Sequence, residues 1–316
     1  MLPGTITGNL RGFVVFAAIA LNTVLWCVPL FLLAVFKLLM PLRKARRAIT
    51  RLLMMIGELW VGGNAILLGL HRSAVLDARG LEGLNSRGWY LVIANHQTWS
   101  DIVILQTVFN RRIPFLKFFI KQELIWFPLL GIAWWALDMP FMKRYSKSYL
   151  ARHPEKKGLD LKATREACKR FSDTPTSVIN FVEGTRFSVE KRERRASPFR
   201  NLLPPRAGGV ALAMTSMGNI FDAVLDVTIV YPSGVATFWD MCCGKLRHVV
   251  IDIEKRPVEA WMPEGDYSSD RRWRSAFHRW LTGVWTEKDA KVDVLCGEAV
   301  RVRSREHRSA TSRRLS

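Results

Sequence analysis

The sequence predicts an α/β fold, a mixed and largely parallel sheet flanked by helices, preceded by an N-terminal membrane-embedded helical segment. Two patterns carry this reading. Short β-branched runs bounded by turn residues alternate with runs of helical period, the signature of parallel strands joined by crossover helices. Ahead of them, "GFVVFAAIALNTVLWCVPLFLLAVF" from Gly12 to Phe36 holds twenty-five residues with no charge and a single amide, Asn22. That length spans a bilayer core with some tilt.

A cleaved signal peptide competes for the apolar run. The run exceeds the usual signal core, however, and Lys37 and Arg43 follow it in place of a small-residue cleavage site, so a retained segment is expected. Lys37, Arg43, Lys44, Arg46, Arg47 and Arg51 lie beyond it and only Arg11 before it, which places the following chain on the cytoplasmic side. A second apolar stretch, Leu52 to Leu70, contains Glu58, Gly57, Gly62, Gly63 and Asn64. A second span, an interfacial helix and the other arm of a hairpin resting in one leaflet all fit it.

Beyond about residue 75 the pattern is globular. "WYLVIAN" (Trp89 to Asn95), "SVINFVE" (Ser177 to Glu183), "VLDVTIVY" (Val224 to Tyr231) and "HVVIDIE" (His248 to Glu254) read as strands, and "IVILQTVF", "DLKATREACKRF" and "GGVALAMTSMG" as helices. Trp273, Phe277, Trp280, Leu281 and Val284 recur at helical spacing, so "RRWRSAFHRWLTGVW" is an amphipathic helix whose aromatic stripe suits packing. The expected division is an anchor over 1–75, a catalytic domain over 76–295 and a basic disordered tail over 296–316, Arg-rich and without apolar period.

The 49% hydrophobic content of the 316 residues is enough for a substantial core, and the formal charge of +20 calls for anionic partners. Its basic residues are spread through the chain rather than gathered in a nucleic-acid reading motif, so no nucleic acid is expected. Five cysteines without metal-ligand spacing fit reduced thiols. The chain has no phosphate-cradling G-x-x-x-x-G-K-[ST], no G-x-G-x-x-G, no G-x-S-x-G and no H-E-x-x-H, which removes support for a nucleotide-driven motor, an elbow-type serine hydrolase and a zincin.

Four stretches put chemistry-bearing residues at element ends. In "VIANHQTWSD", Asn95 and His96 close a buried strand and Asp101 opens the next helix. In open α/β sheets ligands gather at that strand end. A carboxylate on one imidazole nitrogen fixes the tautomer and leaves the other nitrogen to take a proton from an alcohol. The bland alternative is a helix-capping aspartate beside an ordinary histidine. In "NFVEGTRF", Glu183, Gly184, Thr185 and Arg186 end another strand, where a glycine turn exposes amides and arginine offers a planar fork to phosphate. Structural turn and surface ion pair describe it equally well. "LDMPFMKR" ends in Lys143 and Arg144, and in "LLPPRAGGVALAM" Arg206 precedes paired glycines at a helix start. Both put cations where an anion binds.

In this order the four stretches resemble the glycerophospholipid acyltransferases, the family that includes 1-acyl-sn-glycerol-3-phosphate acyltransferase. Asn95, His96 and Asp101 match its N-H-x-x-x-x-D signature, Phe141 to Arg144 its basic-pair signature, and Glu183 to Arg186 its E-G-T-R. Lys121, Leu124, Pro128 and Gly131 match the connecting K-x-x-L-x-x-x-P-x-x-G. The fourth family signature, V-P-V, is replaced by "LDVTIVY", with Asp226 at the proline position. That departure is similar to a subgroup with "DVTxxY" and "EKD", the latter at Glu287 to Asp289, which includes lysophosphatidate and lysocardiolipin acyltransferases.

The resemblance implies acyl transfer from acyl-CoA or acyl carrier protein to the hydroxyl of a lysophospholipid, with His96 as base and Asp101 holding it. It implies that Arg186, with Glu183, Gly184, Thr185, Arg144 and Arg206, forms the site for the acceptor's phosphate. No metal or redox cofactor is implied. Membrane lipids are the implied surroundings, and the catalytic domain is expected on the cytoplasmic face, of the inner membrane in a bacterium.

Overall fold

A computed structural model describes residues 3–72, 75–142, 152–153, 174–265, 267 and 269–315. Two N-terminal helices, α1 (Pro3–Leu39) and α2 (Arg43–Leu67), lead into β1 (Leu76–Arg79), β2 (Tyr90–Ala94) and α3 (Ser100–Phe109). β3 (Leu116–Phe118), β4 (Ile120–Lys121), α4 (Leu130–Ala136), β5 (Phe141–Met142) and β6 (Ser177–Phe181) follow. After them come α5 (Val189–Arg194), α6 (Ala207–Met217), β7 (Ala223–Val230), α7 (Phe238–Cys242), β8 (Val249–Arg256), α8 (Trp261–Glu264) and α9 (Arg271–Leu315). The expected helix "DLKATREACKRF", together with Lys143 and Arg144, lies outside the described residues.

Six strands form one sheet in the order β1-β8-β7-β2-β6-β3. Every pairing is parallel except β7 with β8, so the sheet is mixed and largely parallel. β2 sits at the centre and all five of its residues are buried, which is why it reads as an unbroken apolar run. Its side chains divide with period two. Tyr90, Val92 and Ala94 join α3, Leu225, Val227 and Ile229 in one core, while Leu91 and Ile93 join α6 and α9 residues such as Phe277 and Trp285 in the other. The aromatic stripe of α9 is thus core packing. β1 and β3, of four and three residues, escaped the sequence reading because such runs are too short to display a period.

α1 and α2 pack as an antiparallel hairpin. α2 buries Ile49, Leu53, Ile56, Gly57, Val61, Asn64 and Ala65, a stripe at helical spacing. Asn22 donates to the Trp60 carbonyl at 3.1 Å and to Asn64 Oδ1 at 3.0 Å, and Trp60 donates to Thr23 at 3.1 Å. These bonds pair the amides of the two apolar stretches with each other and join the stretches as two helices in contact. Among the described helices only α1 is long and apolar enough to cross a membrane.

α1 is also tied to the sheet-bearing part of the chain at two points. Phe13 meets Trp239 edge-on at 5.0 Å, and Lys37 bonds Asp138 at 2.6 Å. Its outer face remains apolar and exposed, with Leu10, Leu21, Leu25 and Leu32 all above 60%. At the other end of the chain α9 runs on to Leu315, so the segment expected as a disordered tail from residue 296 continues the helix. No proline follows Pro263 to stop it.

Candidate active site

Strand register brings the first two motifs together. Ala94 lies opposite Phe181 in β6 and Val227 in β7, so β2 and β6 end level and the chains leaving them run side by side. Val182 donates its amide to the Ala94 carbonyl at 3.2 Å, and Phe187 to that of His96 at 2.7 Å. Asn95 prolongs the pairing on the other flank. Its fully buried side chain donates to the Ile229 carbonyl at 2.9 Å and accepts from the Ile229 amide at 2.8 Å, which fixes where the chain turns off the sheet.

That turn sets His96 against Asp101. The His96 Nδ1 to Asp101 Oδ2 distance is 2.8 Å, with the carboxylate fully buried and the ring mostly so. Asp101 Oδ2 also accepts from the amides of Gln97 at 2.6 Å and Thr98 at 2.9 Å, and Oδ1 accepts from the Tyr231 hydroxyl at 2.5 Å. Held by these donors, the carboxylate is an acceptor toward the ring, so Nδ1 carries the proton and Nε2 presents its lone pair. Asp101 therefore reaches back to the turn rather than forward as a helix cap. The His96 ring stacks on Phe181, centroids 4.0 Å apart and planes 18° from parallel, so rotation out of this pose is blocked on one face.

Glu183 is fully buried behind this couple. It accepts from the His96 amide at 3.2 Å and the Leu203 amide at 3.3 Å, and does not line the cavity described below. Its carboxylate is thus occupied with backbone on both sides of the turn rather than turned to the cavity. Burial pushes that carboxyl up to about 8 against the opposing effect of the two amide bonds. Gly184 adopts φ +66°, open to glycine at no steric cost, and a side chain there would meet Arg206 Cδ at 3.0 Å. Lys191 clasps the turn, donating to Thr185 Oγ1 at 3.2 Å and the Arg186 carbonyl at 2.9 Å. The exposed guanidinium of Arg186 lies 5.2 Å from the Trp99 ring centroid.

A cavity of about 550 Å³ opens at this strand end. His96, Trp99, Gly184, Thr185 and Arg186 line one side. Thr23 of α1, Trp60 and Leu68 of the α2 arm, and Leu124, Leu130 and Trp134 line the other. Lys121 and Arg186 are cationic, and no carboxylate appears among its described lining residues. Arg206 is exposed beside Gly184 without lining the cavity, and Arg144 lies outside the described residues.

The profile of the acyltransferase family matches residues 75–232, half of the chain. The chain belongs to this acyltransferase family. The acyltransferase is 26% identical to human 1-acyl-sn-glycerol-3-phosphate acyltransferase delta over 214 residues, 63% of this chain and 51% of that one. It is 26% identical to 1-acyl-sn-glycerol-3-phosphate acyltransferase 3 of Arabidopsis thaliana over 234 residues, 69% of this chain and 56% of the relative. The chain spans about half the length of the curated relatives it matches. Its fold matches the crystal structure of the 1-acyl-sn-glycerophosphate acyltransferase PlsC of Thermotoga maritima, with a TM-score of 0.51 over 89% of this chain and 98% of that one at 18% identity.

Sequence reasoning about this acyltransferase gave Tyr231 and Phe181 no part in the site and left Asn95 without a role. Tyr231 continues the odd-numbered face of β7, Leu225, Val227 and Ile229, toward α3, so strand phase was the available signal. The "DVTxxY" and "EKD" motifs prove to be one joint. Lys288 is buried, pairs with Asp226 at 2.6 Å and donates to the Val227 carbonyl at 2.6 Å, while Arg256 bonds Asp226 at 3.1 Å and Glu287 at 2.6 Å. Asp289 accepts from the amides of Arg200 at 2.9 Å and Asn201 at 2.8 Å. The joint docks α9 against the centre of the sheet, and the loop before α6 with it.

Proposed function

We propose that this acyltransferase moves a fatty acyl group from acyl-CoA or acyl carrier protein to the free hydroxyl of 1-acyl-sn-glycerol 3-phosphate, giving phosphatidic acid. The observation that carries the reading is the buried Asp101 carboxylate bonded to His96 Nδ1, with the ring lining a largely apolar cavity in which Lys121 and Arg186 are the cations. His96 Nε2 takes the hydroxyl proton as the oxygen attacks the thioester carbonyl. The C–S bond then breaks, and the departing thiolate takes the proton from the imidazolium, which Asp101 stabilises while positively charged. The scheme needs no enzyme nucleophile and no cofactor.

Arg186 takes the acceptor's phosphate in this reading, since it lines the same cavity as His96 and its fork suits two phosphate oxygens. Gly184 and Thr185 shape the turn, Glu183 supports it from behind, Arg206 adds positive charge beside Gly184, and Arg144 is counted with them on its family signature alone. The apolar walls suit an acyl chain.

The helix hairpin lies against one leaflet in this reading. The exposed leucines of α1 and the projecting Trp126, 87% exposed beside the cavity wall, support contact with lipid. An acceptor then enters the cavity from the bilayer while the donor arrives from the cytoplasmic side, where the cations after α1 face anionic headgroups.

The test is a lipid-separation assay on membranes carrying wild type or His96→Ala, with labelled acyl-CoA and acyl carrier protein and a panel of lysolipids. Phosphatidic acid formed by wild type and reduced by about 10²–10⁴ in the variant, at unchanged thermal midpoint, is the expected result. Equal turnover in both chains sinks the mechanism, and product from lysocardiolipin alone replaces the acceptor.

A further inference from the structure

The turn from Gly184 to Arg186 is ringed by more positive charge than one acceptor phosphate uses. Lys191 donates to Thr185 Oγ1 and to the Arg186 carbonyl, and Arg195 donates to the Glu183 carbonyl at 3.3 Å. Arg206 lies against Gly184, where an added side chain would meet its Cδ at 3.0 Å and its Nε and Nη1 at 3.6 Å. With Arg186 these are the cations about one turn, and none of them forms an ion pair with a carboxylate, whereas Arg200 farther along the loop pairs with Asp293 at 3.8 Å. Their charges act on one another. Burial holds the Arg195 guanidinium below its ordinary range, Arg206 and Arg194 lower it further, and Glu183 opposes them. Lys191 and Arg195 are four residues apart and so share one face of α5, while the exposed Glu190 and Glu193 fall on other faces.

The ring stands at the edge of the catalytic cavity. Gly184, Thr185 and Arg186 line that cavity, whereas Lys191, Arg195 and Arg206 do not. A ligand whose reacting group lies at His96, and which leaves across this turn, therefore meets the ring with its outer part. The acceptor has a single phosphate, and the fork of Arg186 suffices for it. Acyl-CoA has the form that matches the rest: a thioester at one end of a flexible arm, and a diphosphate and a 3′-phosphate close together at the other. Guanidinium forks bind such oxygens in pairs. An acyl carrier protein presents an acidic protein surface instead, which calls for an extended basic face. Glu190 and Glu193 interrupt such a face on α5.

We propose that Lys191, Arg195 and Arg206 bind the nucleotide phosphates of acyl-CoA at the cavity's edge, with Arg186 left to the acceptor. The proposal rests on the acyl-transfer reading and selects its donor. Phosphate sites on either side of one turn hold donor and acceptor so that thioester and hydroxyl meet at His96.

The test titrates CoA by calorimetry into the full chain in neutral detergent micelles. One saturable site is expected, weakened about tenfold or more by Arg195→Gln with Arg206→Gln. Dephospho-CoA, without the 3′-phosphate, should bind wild type more weakly and lose less on the double substitution. Arg271→Gln with Arg272→Gln removes equal charge from exposed positions at the start of α9 and should leave affinity within about twofold. Equal weakening by both pairs means diffuse attraction and overturns the proposal, as does the absence of saturable binding. Because Arg195 also holds the Glu183 carbonyl, kinetics separate a damaged turn from a lost site. At saturating acceptor the Arg195 and Arg206 pair should raise KM for oleoyl-CoA about tenfold more than KM for S-oleoyl pantetheine, which has no phosphate. Equal increases assign the loss to the turn and overturn the proposal, and so does an increase confined to acyl carrier protein. CoA binding weakened by the pair in a chain that acylates no lysolipid upholds the site and sinks the acyl-transfer reading. Turnover from acyl-CoA with a KM untouched by the pair does the reverse.

Discussion

Replacing Tyr231 with phenylalanine removes one oxygen from behind the catalytic couple. Asp101 Oδ2 has three described donors, His96 and the amides of Gln97 and Thr98, but Oδ1 has only the Tyr231 hydroxyl, at 2.5 Å. With Asp101 fully buried, water does not take the hydroxyl's place without rearrangement, so half of the carboxylate loses its partner. Hydrogen bonds to charged groups contribute about 1.5–3 kcal/mol, which for a domain of about 200 residues is about 3–12 °C in thermal midpoint. A carboxylate freed on one side swings about its remaining bonds and takes the His96 ring out of line. A base of this kind supplies about 10²–10⁴ in rate, and partial misalignment is expected to cost about tenfold to hundredfold in kcat, with KM for donor and acceptor little changed. Burial, followed by the Asp101 charge and bond, drives the Tyr231 phenol above its ordinary range, so it stays a donor throughout any assay and adds no alkaline limb to the pH profile. Tyr231→Phe is assayed by thermal scanning and by steady-state acyl transfer. A variant that keeps both its midpoint and its kcat, or one that changes KM alone, refutes the positioning role.

Arg186→Lys keeps the charge and discards the planar fork, so KM for the lysophospholipid should rise about tenfold with a smaller change in kcat; an unaltered acceptor KM removes Arg186 from the phosphate site. Glu183, raised to about 8, binds a proton in the folded chain that it has released by about 4.5 when unfolded. Its contribution is therefore full below about pH 4.5 and is lost as pH rises through about 8, by about 1 kcal/mol per pH unit inside that window. Glutamine does not titrate, so the midpoint of Glu183→Gln relative to wild type should climb between pH 5 and pH 8, and parallel curves contradict the burial effect. Lys288→Met strands the buried Asp226 with Arg256 as its one remaining described partner, a loss of about 3–5 kcal/mol visible in thermal midpoint and expression; an unchanged midpoint denies the joint its anchoring role.

The membrane reading and the chemistry meet in the hairpin. Thr23 and Trp60 are bonded to each other and both line the cavity beside His96, so the helices proposed to face lipid also form its wall. A change at their contact is therefore coupled to the substrate pocket through side chains already in place.

The sequence by itself determined the central strands, because β2 and β7 are buried along their whole length and β6 over its first three residues, which calls for predominantly apolar, β-branched runs. It also determined that His96 and Asp101 stand on either side of one turn, since a strand end, five residues and a helix start leave little freedom. It located α1 through its lack of charge, and the aromatic face of α9 through its period. Direction and depth were decided only by the tertiary structure. That β8 runs against β7 depends on its connection returning at the same end of the sheet, which a strand's own residues do not encode. That Glu183 faces backbone while Arg186, three residues on, faces the cavity depends on the left-handed turn at Gly184. Tyr231 lies 130 positions from Asp101, and register between two parallel strands alone puts its hydroxyl against that carboxylate. Local pattern records which face of an element is buried; it does not record what stands on the other side.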